Sequence, residues 1–256
     1  MKTGFPLSMV VLLLLGCLGS CQKVEEELVA TQALTNSQNG YQYELQVFQR
    51  GSGLSDHVLF VLDPTTLIPL VVEQLDALGI EESIAIVQVQ WADENERVRD
   101  YTPIESNGEG GEADAYYSFV QSTVWNELLN LGLIDPEARK ILIGHSLGGM
   151  SGAYAFCQYN DFYSGYLLLS PAMWWGDFNM FQIESERRAD IKEQSAQVFI
   201  GMGEREDFGM QNGFEGWVQI LLDHYPNVEL SSEIVAGSHY GSRDELLFSG
   251  LEFLFP

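Results

Sequence analysis

The feature that most constrains this chain is a succession of short β-type apolar runs separated by stretches with helical spacing. "YQYELQVFQR" (41–50) alternates apolar and polar residues, as a strand with one wet face does. "HVLFVL" (57–62), "SIAIVQVQ" (83–90), "KILIG" (140–144), "GYLLLS" (165–170), "AQVFIGMG" (196–203) and "VELSSEIV" (228–235) follow. Between them, residues 66–79, 114–131, 147–159, 184–194, 211–225 and 243–254 show helical patterns. Near-continuous apolar strands must be covered on both faces. Alternating strands and helices therefore predict an α/β fold with a mostly parallel central sheet and helices on both faces. Residues 92–113, which include "ESNGEGGEAD", have no clear period and read as a long functional loop. There is no internal repeat, so residues 41–256 are expected to form one domain.

The first forty residues read differently. Lys2 precedes the unbroken apolar run Met9 to Leu15, and small residues follow in "LGCLGSC". The run is too short to span a bilayer, so residues 1–20 are expected to be a signal peptide. Leu18-Gly19-Ser20-Cys21 resembles a bacterial lipobox, which makes Cys21 the expected lipidation site. Leu14-Leu15-Gly16-Cys17 fits loosely, but the polar stretch begins only after Cys21. Residues 21–40 are polar and acidic and read as a tether. The expected location is the cell envelope, with the membrane reached through the lipid anchor alone. Cys157 is then the one cysteine left in the domain. It lies among Ala155, Phe156 and Tyr159, which rules out a disulfide framework and suggests a small buried apolar residue.

Charge narrows the partners. The 256 residues carry 37 acidic and 12 basic side chains, a net charge of −25. Such a surface repels nucleic acid, which is not expected as a partner. Neither "GMGERE" nor the glycine-rich stretch of 92–113 completes a nucleotide-binding motif, and no zinc-type cluster of Cys and His is present. No metal or organic cofactor is expected.

"ILIGHSLGGM" (141–150) carries the chemistry. Gly144-His145-Ser146-Leu147-Gly148 fits Gly-x-Ser-x-Gly, with a β-type run before it and a helical pattern after it. In that setting a serine sits on a tight strand-to-helix turn. Flanking glycines leave room for the turn, and the Leu147 N–H points where an oxyanion would develop. Ser146 is therefore the candidate nucleophile. Of the four histidines, His145 adjoins the serine and should point away from its Oγ. His57 opens an early strand, and His224 ends a helix. His239, in "VAGSHYGS", follows the last strand and is the candidate base. The acid should come from "VFIGMGEREDFG", which offers Glu204, Glu206 and Asp207. Glu206 is preferred to hold the His239 tautomer, with Asp207 the alternative.

"FVLDP", "RDYTP" (99–103), "GHSLGGM", "SGYLLLSPAMWW" (164–175), "GMGERED" and "GSHYGS" occur in that order. Together they make the chain resemble the putative esterase family of α/β-hydrolases, in its esterase D and siderophore-esterase branch. The resemblance covers nearly the whole mature chain. It implies the α/β-hydrolase fold and hydrolysis of a small-molecule ester. Its Gly-x-x-Glu/Asp pattern, carried by Gly203-Glu204-Arg205-Glu206, implies Glu206 as the acid. Family members usually have Asp-Gly where this chain has Asp63-Pro64. Proline has no N–H, so the resemblance implies Thr65 as the second oxyanion donor. It also implies Trp174, Trp175, Tyr101 and Arg99 as substrate-pocket residues. The expected substrate is a siderophore-type ester. A feruloyl or acetyl ester on a carbohydrate is the alternative, and a non-catalytic binding protein on the same scaffold is a further one.

Overall fold

A computed structural model of the chain describes residues 27–92 and 96–256. The expected signal peptide and Cys21 lie outside the described residues. Eight strands form one central sheet. In chain order they are β1 (Glu27–Thr35), β2 (Gln42–Arg50), β3 (Ser55–Val61), β4 (Ile84–Trp91), β7 (Ile134–His145), β8 (Gly165–Leu169), β9 (Ala196–Gly203) and β10 (Val228–Val235). Their order across the sheet is β1-β2-β4-β3-β7-β8-β9-β10. The strands β4 to β10 pair in parallel through β3, β7, β8 and β9, while β2 pairs antiparallel with both β1 and β4. The minimal pair β5 (Glu105–Ser106) and β6 (Glu109–Gly110) forms a separate hairpin.

Successive side chains of one strand enter opposite cores, as the period of two requires. Phe60, Val87, Leu142, Leu168 and Ile200 face one layer. That layer is roofed by α3 (Ala113–Phe119), α4 (Trp125–Asn130), α5 (Leu147–Gln158), α6 (Trp175–Ile191) and α7 (Phe208–His224). Leu59, Ile86, Ile143, Leu167 and Phe199 face the other, against α1 (Pro64–Leu78) and α8 (Arg243–Leu254). This is the three-layer arrangement that the apolar strand runs demanded. Cys157 is fully buried in the first core, and burial pushes its thiol pKa up, as an unreactive packing residue requires.

Three expectations need correction. Within the stretch 21–40 expected as a tether, Glu27–Thr35 is the strand β1, paired with β2 from Glu27↔Gln49 to Thr35↔Gln42. It is an edge strand with a bulge between Leu28 and Ala30, and its residues are mostly exposed. An edge strand with mostly exposed residues needs few buried apolar ones, so its sequence shows no clear apolar alternation. The loop 92–113 contains α2 (Arg97–Tyr101) and the β5–β6 hairpin, both too short to display a period. Helix α6 reaches back to Trp175 where helical spacing was expected only from 184, and its start is kinked by left-handed backbone at Gly176, Asp177 and Phe178.

Candidate active site

The site forms at the carboxyl ends of β7, β9 and β10, where parallel α/β sheets place their loops. Ser146 joins β7 to α5 with φ 58° and ψ −117°, outside the regions an L-residue ordinarily occupies. The turn closes so tightly that a Cβ on Gly144 would collide with the Gly148 main chain. A Cβ on Gly148 would come within 2.9 Å of an Asp63 carboxylate oxygen. The glycines are thus a condition of the geometry that exposes the serine.

His239 stands in the turn between β10 and α8, and its Nδ1 lies 2.7 Å from Glu206 Oε2. The other carboxylate oxygen, Oε1, accepts hydrogen bonds from Ser170 Oγ at 2.5 Å and from the Gly203 amide at 2.9 Å. Burial works to raise the Glu206 pKa. The hydrogen bonds from His239, Ser170 and Gly203 outweigh it, and the net shift is downward. Glu206 is therefore an anion held by three donors, two of which fix its plane. An anion on Nδ1 fixes the Nδ1–H tautomer of a neutral His239 and leaves Nε2 as the acceptor nitrogen. Asp207 does something else: its side chain caps α7 by accepting from the Met210 amide at 3.1 Å. Glu204 is exposed.

Two helices begin beside Ser146. Leu147 is the first residue of α5, and Thr65 the second of α1, so their amides belong to the first turn, which has no intrahelical acceptor. Helix α1 follows β3, the neighbour of β7, so the two N-termini lie at the same edge of the site. Asp63 and Ser146 occupy the N-cap positions, yet neither side chain caps its own helix. The Asp63 carboxylate is taken instead by Arg97, with Nε at 2.5 Å from Oδ1 and Nη2 at 2.8 Å from Oδ2. Arg97 Nη2 also donates to the His145 carbonyl at 3.1 Å. A capping carboxylate turned away leaves first-turn amides available to an incoming anion.

Ser146, His239 and Glu206 line one cleft of about 460 Å³, together with Trp174, Met210 and Arg205. Trp174 is 45% exposed and anchored by its Nε1 on Met210 Sδ at 3.1 Å. The other expected pocket residues do not line it. Trp175 packs against the main core. Tyr101 is fully buried, with its hydroxyl accepting from the Asp63 amide at 3.1 Å, so it supports the β3–α1 turn from behind. Arg99 pairs with Asp100 at 2.7 Å and covers the Tyr41 ring at 3.7 Å. It belongs to a buried network with Tyr43 and Trp91. The sequence reading missed Arg97, Ser170, Met210 and Arg205. Only Arg205 and Ser170 had a legible signal, next to a recognisable acid and at the end of a strand.

His57 lies at the opposite end of the sheet, edge-on to Phe255. Among the described residues no cluster of three His, Cys, Asp or Glu is placed to hold a metal ion.

A half-buried serine on a strained elbow at the cleft, an imidazole oriented by a buried carboxylate and two helix N-termini without side-chain caps form a set suited to acyl transfer. The sequence profile of the family described as "Putative esterase" matches residues 46–242. The chain belongs to this esterase family. Over an alignment of 124 positions that covers 46% of this chain, it is 28% identical to the siderophore triacetylfusarinine C esterase of Aspergillus fumigatus. The match spans 39% of that relative. In fold the esterase is similar to the BES protein from Bacillus cereus, with a TM-score of 0.77 and 19% identity over 93% of this chain and 99% of that one. It is equally similar to an IroE-like serine hydrolase from Shewanella oneidensis, with a TM-score of 0.77 and 17% identity over 90% and 80% of the two chains. These likenesses show that the chain has the α/β-hydrolase fold.

Proposed function

We propose that the esterase works through a Ser146–His239–Glu206 triad and an acyl-enzyme, on a siderophore-type ester. Ser146 Oγ attacks the ester carbonyl while His239 Nε2 removes its proton. The Leu147 and Thr65 amides hold the tetrahedral oxyanion. The imidazolium, stabilised by Glu206, then protonates the leaving alcohol. Water repeats the sequence on the acyl-enzyme and releases the acid. The observation that carries this reading is the 2.7 Å contact between Glu206 and His239 in the cleft that Ser146 also lines.

The substrate class is supported by the siderophore-esterase relative from Aspergillus fumigatus and by the cleft's lining. Trp174 offers an exposed aromatic wall, Met210 a polarisable one, and Arg205 a cation in an otherwise strongly acidic chain.

The test is Ser146→Ala against wild type, assayed with a short p-nitrophenyl ester and a panel of siderophore and feruloyl esters followed by mass. Wild type should turn over the siderophore esters best, and a fluorophosphonate should label the Ser146 peptide. Ser146→Ala should lose several orders of magnitude in kcat. Unchanged turnover in the alanine variant rules out the nucleophile, and preference for feruloyl esters rules out the substrate class.

A further inference from the structure

The residue before the serine is not a bystander. His145 is 4% exposed, and its Nε2 lies 2.8 Å from the main-chain carbonyl oxygen of His239. A carbonyl only accepts, so Nε2 must carry the hydrogen. We propose that His145 is a positioning residue: its Nε2–H holds the backbone of His239, so that the residue preceding the nucleophile sets where the base stands. The inference rests on the assignment of Ser146 and His239 as nucleophile and base.

Three further observations support it. The His145 ring sits 4.5 Å from the His239 ring, centroid to centroid, and 5.4 Å from the Tyr240 ring. Its own main chain is fixed, because the His145 carbonyl accepts from Arg97 Nη2. The loop it grips is exposed at Ser238, Tyr240 and Gly241; besides the Glu206 contact, it is anchored by the Arg205 amide on the Gly237 carbonyl at 3.0 Å and by short-range bonds such as Ser242 N to Ser238 O at 3.1 Å. Burial, with help from the Arg243 charge and the adjacent His239, outweighs the opposing influence of Glu206 and of the hydrogen bond to the His239 carbonyl. It lowers the His145 pKa to about 4. The ring is neutral at pH 7 and has one N–H to give. It gives that hydrogen to the base's backbone rather than competing for the serine.

The chemistry explains why this matters. Proton transfer from Ser146 needs Nε2 of His239 within hydrogen-bond reach, and a displacement of about 1 Å can cost about a hundredfold in rate. The Glu206 contact fixes the ring at Nδ1. The His145 contact fixes the backbone that carries it.

Two variants separate positioning from packing. His145→Gln keeps an N–H of similar reach, whereas His145→Phe keeps a flat ring without a donor. With a p-nitrophenyl ester, His145→Phe should lose about ten- to a hundredfold in kcat with KM within about threefold. Its fluorophosphonate labelling rate should fall in parallel, and His145→Gln should recover most of the loss. The reverse order, a healthy Phe variant and a crippled Gln variant, would mean that the ring only fills space. In ¹⁵N-histidine-labelled wild type, NMR should show His145 as the neutral Nε2–H tautomer at pH 7. The Nδ1–H tautomer overturns the proposal without any variant. Ser146→Ala is run alongside. If it stays active, the triad reading fails and this inference falls with it. If it is inactive while His145→Phe matches wild type, only the inference falls.

Discussion

At the scale of the residue, three carboxylates in one loop face three different fates. Glu206 turns inward onto His239, Ser170 and Gly203, Asp207 caps α7, and Glu204 meets solvent. Glu206→Gln keeps the shape but removes the charge that would stabilise an imidazolium. Its kcat should fall by roughly a hundredfold to ten-thousandfold, with little change in KM. Asp207→Asn leaves a residue that also caps helices well, so activity and stability should stay close to wild type. Kinetics of the two variants decide the matter: a crippled Asp207→Asn enzyme beside a healthy Glu206→Gln enzyme would contradict the assignment. The sequence narrowed the acid to this loop, because the chain order serine, acid, histidine and the end of β9 were both visible. It did not reveal Ser170, whose contact with Glu206 spans 36 residues and depends on β8 and β9 being neighbours. It assigned His145 only a negative role, because the partner of its ring is a backbone atom, which no residue type announces.

At the scale of the element, the site depends on two adjacent strand-to-helix turns, β3–α1 and β7–α5, being held at a fixed distance. Strand pairing does this up to Leu62, whose amide donates to the Ile143 carbonyl at 2.8 Å. Beyond that point Arg97 takes over by joining Asp63 to the His145 carbonyl. The pair is only partly buried, so solvent screening limits its value to folding, and its main effect is geometric. Arg97→Gln and Asp63→Asn should each lower kcat by about tenfold or more, the loss expected when a positioning contact is removed. The double variant should be no worse than the poorer single one, because both break one clamp. Losses that simply multiply would show that the residues act separately. The strands and the elbow helix were readable because apolar periodicity is a local property. Arg97 was not: it sits in a five-residue helix, 34 and 48 positions from its partners. The resemblance to "RDYTP" directed attention to Arg99 and Tyr101, which stabilise the same segment from the buried side. Edge strand β1 escaped notice for the opposite reason, since it buries too little to leave a pattern.

At the scale of the molecule, the two-sided sheet was legible from its apolar strands, and the acidic composition from a count. How that charge bears on stability is a separate matter. A chain of net charge −25 repels itself at neutral pH, so mild acidification relieves strain across the surface. Buried groups pull the other way. Burial lowers the pKa of His57, Glu206 has a lowered pKa despite its burial, and burial lowers that of His145 from 6.5 to about 4. A histidine whose folded pKa lies below its unfolded one contributes its full stability above about pH 6.5. It loses that contribution as the pH falls toward 4, because the unfolded chain binds the proton first. Surface relief, His57 and Glu206 are common to wild type and His145→Gln, so the difference between the two proteins isolates His145. Near pH 7.5 the two should unfold in urea with similar free energies, since glutamine can keep the bond to the His239 carbonyl. At pH 5 the variant should gain on wild type by about 2 kcal/mol, the linkage expected when only wild type carries this depressed titration. A difference that is the same at pH 7.5 and pH 5 would mean that His145 takes up its proton in the folded enzyme as readily as in the unfolded chain. The buried neutral imidazole that grips the base's backbone would then not exist.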